Sequence, residues 1–189
     1  ILPFENKGAP EDDFYAYGIS SDLIADVTSA GLIRVAGLND IEKIDHLNMS
    51  YTDLADKLFV RYIAKGTLWK MDSLFQLSLE LYDTKDSKVV WSNRWQTNWK
   101  DLATIKDDLA DNILKNLDIS IIRNVEQVAV ANNPEAYEYY LKAKYKYEKR
   151  ENMEDTEIAR GFLNKAIEMD EKIILANHLL GETYRETGE

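Results

Sequence analysis

The chain contains no cysteine, so it has neither disulfides nor thiolate metal ligands. Its two histidines, His46 and His178, lie far apart, so no helical histidine pair exists for zinc. No apolar run approaches the ~18 residues that a membrane-spanning helix requires, which argues against direct membrane insertion. There is no dense basic run either: 34 Asp and Glu outnumber 23 Lys and Arg, for a formal charge of −11. Such acidity opposes the approach of phosphate and argues against a nucleic-acid partner. The phosphate-cradling patterns G-x-x-x-x-G-K-S/T and G-x-G-x-x-G are absent, as is the nucleophile elbow G-x-S-x-G. No segment offers the paired aspartates on adjacent strands that two-metal nucleotide cyclisation needs. The expectation is therefore a segment with no catalytic, cofactor-binding or metal-binding residues. The lack of cysteine fits the cytoplasm, and the periplasm is also compatible.

What remains is a chain of two textures. Hydrophobic residues make up 45 % of it, ordinary for a globular protein. Ile1-Leu2-Pro3-Phe4 reads as the end of a buried strand, and an opening without methionine reads as an excised or processed chain. Residues 5–18 read as a polar, acidic loop in which Glu11-Asp12-Asp13 is solvated, because it lacks the ligand spacing and glycine of a calcium loop. Ser20 or Ser21 is expected to cap a helix bearing Leu23, Ile24 and Val27, closed by Gly31. Ile33–Ala36 reads as a second short strand. Ser50-Tyr51-Thr52-Asp53 has the form of a capping box and predicts a short helix with Leu54, Leu58 and Phe59 inward.

Three strands are expected next: 60–69, a second in which Phe75, Leu77, Leu79 and Leu81 alternate with polar residues, and 89–97 after the turn at 83–88. Trp91, Trp95 and Trp99 share a face if the last strand stays regular; packing under a helix is the reading for Trp91, and exposure of such a face would mark an interface. Leu102, Ile105, Leu109, Ile113 and Leu117 then recur at helical spacing. The predicted order is strand-helix-strand-helix, a three-strand meander, and a helix: an α/β fold with a mixed sheet, the first strands parallel and the last three antiparallel. Residues 118–136 read as a connector; Ile119, Ile121, Ile122, Val125 and Val128 make it apolar enough to pack.

Residues 137–189 resemble tetratricopeptide repeats. Tyr140, Ala143, Lys144 and Tyr147 fall on the W, L, G and Y positions of that pattern, and Ala159, Leu163 and Ala166 on its A, F and A positions. Asn177, Leu180, Gly181, Tyr184 and Gly188 begin a second unit, offset by 37 positions from the first against a usual ~34. The surplus falls at Arg150–Asp155, read as an enlarged loop, and Glu171 stands where the family has proline. The basic residues Lys142, Lys144, Lys146, Lys149 and Arg150 are expected to point to water while the intervening tyrosines pack. The resemblance implies an all-α hairpin region of one and a half repeats with a concave groove for a protein or peptide. By that similarity the groove is lined by Leu141, Tyr145, Glu148 and Lys149, then His178, Glu182, Arg185 and Glu186; the partner-binding set is Tyr145, Lys149, His178, Glu182 and Arg185. A last helix with Leu179, Leu180 and Tyr184 half covered predicts self-association into a homo-oligomer.

The N-terminal part carries a second resemblance. Leu2-Pro3-Phe4-Glu5-Asn6, Phe14-Tyr15-Ala16-Tyr17-Gly18-Ile19, Tyr62-Ile63-Ala64-Lys65-Gly66-Thr67, Val90-Trp91-Ser92 and Leu102-Ala103-Thr104-Ile105 together resemble the domain similar to the N-terminal domain of TolB. The division is then 1–117 for this α/β domain, 118–136 for the connector and 137–189 for the repeats. The resemblance implies the C-terminal region of a bacterial adenylate/guanylate cyclase-like protein, with the catalytic domain outside these residues. As the alternative, it implies the same module attached to a winged-helix transcriptional regulator. A regulatory, protein-binding role follows from it. A small-ligand sensor is the alternative, with a site at the loop after Phe4, Gly8 and the Ser20-Ser21 helix start.

Overall fold

A computed structural model describes residues 1–30, 33–119 and 133–188, side chains at 103, 104 and 106 excepted. Its sheet has four strands in the order β1 (Glu5–Asn6), β2 (Tyr62–Met71), β3 (Leu74–Asp83) and β4 (Lys88–Asn98). β1 runs parallel to β2, and β2, β3 and β4 form the antiparallel meander. Seven α-helices accompany them among the described residues: α1 (Asp13–Ser29), α2 (Leu38–Glu42), α3 (Tyr51–Leu58), α4 (Leu102–Asn116), α5 (Pro134–Glu148), α6 (Met153–Met169) and α7 (Ile174–Thr187).

The alternation in β3 decides which face is inside. Phe75, Leu77, Leu79 and Leu81 are all buried, and they pack in one cluster with Ile19, Leu23 and Val27 of α1 and Leu109 and Ile113 of α4. The Phe4 ring lies against Gly66 of β2; a Cβ there would come within 2.5 Å of it. A second cluster joins Ile63 to Ile41 of α2 and Leu54, Ala55 and Leu58 of α3. The main cluster does not stop at the sheet. It continues through Tyr137, Tyr140 and Leu141 of α5 to Leu163 of α6 and Leu179 of α7.

Several sequence expectations change. Ser20 and Ser21 start no helix: α1 begins at Asp13, and Ser20 is buried within it. Its hydroxyl donates to the Ala16 carbonyl at 2.6 Å and accepts the Phe4 N–H at 2.7 Å, tying the first segment to α1. The apolar residues Phe14, Tyr15 and Tyr17 extend the helix two turns earlier than the acidic texture implied. Asp12 is not solvated but buried against Lys70, 2.9 Å away. Ile33–Ala36 enters no ladder, so among the described residues the sheet has one parallel pairing, not a chain of crossovers.

Ser50 caps α3 as expected, its hydroxyl accepting the Asp53 N–H at 3.1 Å. Phe59, however, takes a left-handed φ of 53° at the helix end and is 81 % exposed. The enlarged loop is short: Lys149 to Asn152 separate α5 from α6, and Asn152 caps α6 through the Asp155 N–H at 3.0 Å. The connector reading falls largely outside the described residues. Within them, Ile119 packs against the main cluster, and Asn133 caps α5 through the Glu135 N–H at 2.9 Å, with Pro134 as the first helical residue.

Candidate functional site at the α1–α5 junction

α1 is buried nearly all round, from Tyr15 to Val27, because it has neighbours on two sides. One side faces the sheet; the other meets α5. Into this second interface α1 projects Asp22, whose side chain is only 4 % exposed. Three residues of α5 converge on it. The Tyr137 hydroxyl donates to Asp22 Oδ2 at 2.9 Å, and the Tyr140 hydroxyl donates to Oδ1 at 2.9 Å. Lys144 Nζ donates to Oδ1 at 2.6 Å. Tyr137, Tyr140 and Lys144 recur at helical spacing, so one face of α5 supplies all three donors. A buried carboxylate is costly unless paired and hydrogen-bonded, and here it is both. Burial, then the neighbouring Asp22 charge, pushes both tyrosine hydroxyls well above their ordinary range, which keeps them as neutral donors.

A second carboxylate closes the other end of the interface. Glu138 of α5 accepts from the Tyr15 hydroxyl at 2.7 Å, from Trp99 Nε1 at 2.9 Å and from Lys142 Nζ at 2.6 Å. Burial works to raise its pKa, but the donors, led by Lys142, outweigh it and hold it below the usual glutamate range. Glu138 thereby gathers α1, the turn after β4 and α5 around one charge.

Between these two carboxylates and beyond them, α5 lies close against α1. A Cβ at Gly18 would come within 2.5 Å of Leu141 Cδ2. The rings of Tyr145 and Tyr17 meet edge to face with centroids 5.5 Å apart. Lys149 reaches Glu42 of α2 at 2.6 Å and lies over the Tyr17 ring. Of the residues expected to line the groove, Leu141, Tyr145 and Lys149 are therefore engaged by this chain's own α1 and α2. The remaining three of the partner-binding set lie on α7 and face solvent. Glu182 is flanked by His178 Nδ1 at 3.9 Å and Arg185 at 3.6 Å, and the side chains of His178 and Arg185 are 73 % and 75 % exposed.

The cationic residues of α5 and of the turn after it do not simply point to water. Lys142 pairs with Glu138, Lys144 with Asp22, Lys146 with Asp155, Lys149 with Glu42 and Arg150 with Glu186. Long side chains on a helix reach carboxylates in neighbouring elements, and helix periodicity alone does not reveal those neighbours. Tyr15 and Gly18 entered the sequence reading only as letters of the TolB-like string, and none of Asp22, Tyr15, Gly18 and Glu138 was expected at a site. One signal was there: Asp22 stands directly before Leu23-Ile24 on a helix that is mostly apolar from Tyr15 to Val27, a charge that must find partners if the helix is covered on both sides.

A cavity of about 360 Å³ opens elsewhere, lined among the described residues by Val27, Ile33, Val35, Ile113 and Leu117 together with Arg34 and Arg61. Arg34 donates to the Phe59 carbonyl at 2.8 Å and to that of Leu58. Arg61 forms a two-pronged pair with Asp83 at 3.0 and 2.6 Å. The Ser20-Ser21 helix start expected to border the small-ligand site after Phe4 is not there, because Ser20 lies mid-helix and spends its hydroxyl inside the fold. Among the described residues no group of three or more His, Asp or Glu side chains could hold a metal ion. No helix among them is long and apolar enough to cross a membrane.

No known family signature matches the chain. It is 22 % identical over 174 residues to "Putative adenylate cyclase 3" of Rhizobium meliloti (strain 1021), an alignment spanning 90 % of this chain and 30 % of that protein. The chain thus spans under a third of the length of the curated relative it matches. Among solved structures, the PelC dodecamer from Paraburkholderia phytofirmans aligns with a TM-score of 0.41 and 17 % identity, over 63 % of this chain and 85 % of that one. Lipoprotein GNA1162 from Neisseria meningitidis aligns with a TM-score of 0.43 and 14 % identity, over 61 % of this chain and 95 % of that one.

Proposed function

We propose that this chain is a non-catalytic regulatory and protein-interaction module of a bacterial signalling protein of the adenylate/guanylate cyclase-like kind. In this reading the sheet and α1–α4 are a TolB N-terminal-like platform, and α5–α7 are the first tetratricopeptide helices. The similarity to the Rhizobium protein supports the setting: it runs along most of this chain but covers a minor part of that longer protein. The observation that carries the mechanism is the Asp22 clasp. A buried carboxylate held by Tyr137, Tyr140 and Lys144 fixes the helical hairpin to the platform. The α5 half of the groove is filled by α1, so a partner protein or peptide contacts the exposed α7 side, at His178, Glu182 and Arg185. Force or displacement on α7 then passes through the continuous apolar core to α1 and the sheet.

The test places the chain behind a bacterial cyclase catalytic domain of known turnover. The intact junction should change cyclic nucleotide production severalfold relative to Asp22→Asn. Equal rates in the two fusions overturn the coupling. Cyclic nucleotide made from ATP or GTP by the 189-residue chain alone, with Mg²⁺ or Mn²⁺, overturns the non-catalytic reading. The same junction would serve a winged-helix regulator, read out as DNA binding instead of turnover.

A small-ligand sensor is the second reading, favoured by the apolar cavity with its two arginines. Its volume lies at the lower end of small-molecule sites. An amphipathic carboxylate such as decanoate is the fitting probe, and a rise in melting temperature lost in Arg34→Ala supports it. An unchanged melting temperature removes it.

A further inference from the structure

We propose that β4 is a self-pairing edge: two copies of this chain join their β4 strands antiparallel about Asn93, making one continuous sheet. Among the described residues, the strand order leaves β4 with β3 on one side only. Residues 88–90, 92–94 and 96 are exposed along it. An uncovered edge of this length is a ready template for another strand.

The hydrogen-bond parity is fixed by one bond. The Trp99 N–H donates to the Ser73 carbonyl at 2.7 Å, in continuation of the register that sets Leu74 opposite Asn98. Residues 91, 93, 95 and 97 therefore bond to β3, and Ser92, Arg94 and Gln96 direct their N–H and C=O groups outward. The Arg94 N–H meets the side-chain oxygen of its own neighbour Asn93 at 2.8 Å, a local bond that strand pairing replaces. The one register shift between β3 and β4 lies at the Leu81/Tyr82 step, so the stretch from Trp91 onward is regular.

A second copy is the occupant because the sequence is complementary to itself in one register. With Asn93 on the two-fold axis, Trp91 faces the other copy's Trp95, and Ser92 faces its Arg94. Trp91 and Trp95 already lie 5.8 Å apart within one strand and are only half covered. The pairing would bring four indoles together at non-hydrogen-bonded positions, where cross-strand side chains are closest. Between Lys88 and Asn98 there is no carboxylate, in a chain of net charge −11. The two edges meet without acid–acid repulsion, and Arg94 opposes a serine. The run from Trp91 to Asn98 also contains no proline and no glycine to interrupt a ladder.

The absence of cysteine makes the test direct. Asn93→Cys puts the thiols of two copies opposite each other at a non-hydrogen-bonded pair, with Cα atoms ~4.5 Å apart, within disulfide reach. Mild oxidation at micromolar concentration should convert most of this variant to a covalent dimer, at least tenfold faster than Lys65→Cys, which sits two strands inward. Light scattering of the unaltered chain should give a dimer, and Ser92→Pro, which removes an outward N–H only, should give a folded monomer. A monomeric unaltered chain overturns the proposal. So does cross-linking of Asn93→Cys no faster than of Lys65→Cys. A dimer that persists in Ser92→Pro but is lost in Tyr184→Lys also overturns it, since that dimer would use α7.

Discussion

Leu141 of α5 lies so near Gly18 of α1 that a Cβ on residue 18 would come within 2.5 Å of its Cδ2. A groove residue expected to await a partner is instead seated against this chain's own helix. Tyr145 on Tyr17 and Lys149 on Glu42 repeat the arrangement one and two turns further along. The part of the helical region left open is on α7, and the buried part is the α5 face that packs on α1.

The Asp22 clasp should dominate the strength of that fastening. Asp22→Ala leaves Lys144 and two tyrosine hydroxyls without their acceptor, and breaking a buried pair from one side costs about 3–5 kcal/mol. Tyr137→Phe removes one hydrogen bond to a charged group and should cost about 1.5–3 kcal/mol. Urea unfolding measures both. Limited proteolysis should cut between the sheet and α5 sooner in Asp22→Ala than in the unaltered chain.

The two sides of the helical hairpin should respond differently to truncation. His178→Ala and Arg185→Ala sit on exposed side chains and should change stability by no more than ~0.5 kcal/mol each. Tyr145→Ala removes an edge-to-face aromatic pair at the junction and should cost clearly more, about 2 kcal/mol. Thermal melts of the three variants decide it.

Gly66 admits the Phe4 ring, with three ring carbons between 2.5 and 2.8 Å from where a Cβ would stand. Gly66→Ala should destabilise by about 1–3 kcal/mol through overpacking. Phe4→Leu in the same chain should recover part of that loss. Strict additivity of the two changes in a double-mutant cycle would show that the ring and the glycine do not share the strain.

Arg61 holds the Asp83 carboxyl down at about 2, chiefly by its hydrogen bonds. An aspartate in the unfolded chain titrates near ~3.9. The folded pKa is the lower one, so the pair's contribution is fully present above pH ~4 and is lost as pH falls through about 2. Melting temperatures of the unaltered chain and Asp83→Asn should differ at pH 6 and converge toward pH 2. The pair is partly open to water, so the difference should be small.

The meander, the inward face of β3, the α4 stripe and the α3 cap follow from local pattern: alternation in 74–83, helical spacing in 102–113, and the Ser50–Asp53 cap. These are properties of neighbouring residues, and neighbours in sequence report them. The N-terminal stretch misled because acidic letters suggested a loop. Asp12 is buried on Lys70, 58 positions away, and Ser20 bonds to Phe4; neither partner is local. The tyrosines and lysines of α5 likewise gave a helix and its apolar side, but not the charge they converge on.

By itself, then, the sequence determined the three-strand meander and most of the helices after it, because periodicity and capping act over a few residues. Tertiary structure alone decided that α1 is covered twice and that α5 closes on it. It also decided that β4 is the outer strand among the described residues. Those outcomes depend on which distant surfaces meet, and the free energy of burying Asp22 against Tyr137, Tyr140 and Lys144 exists only once they do.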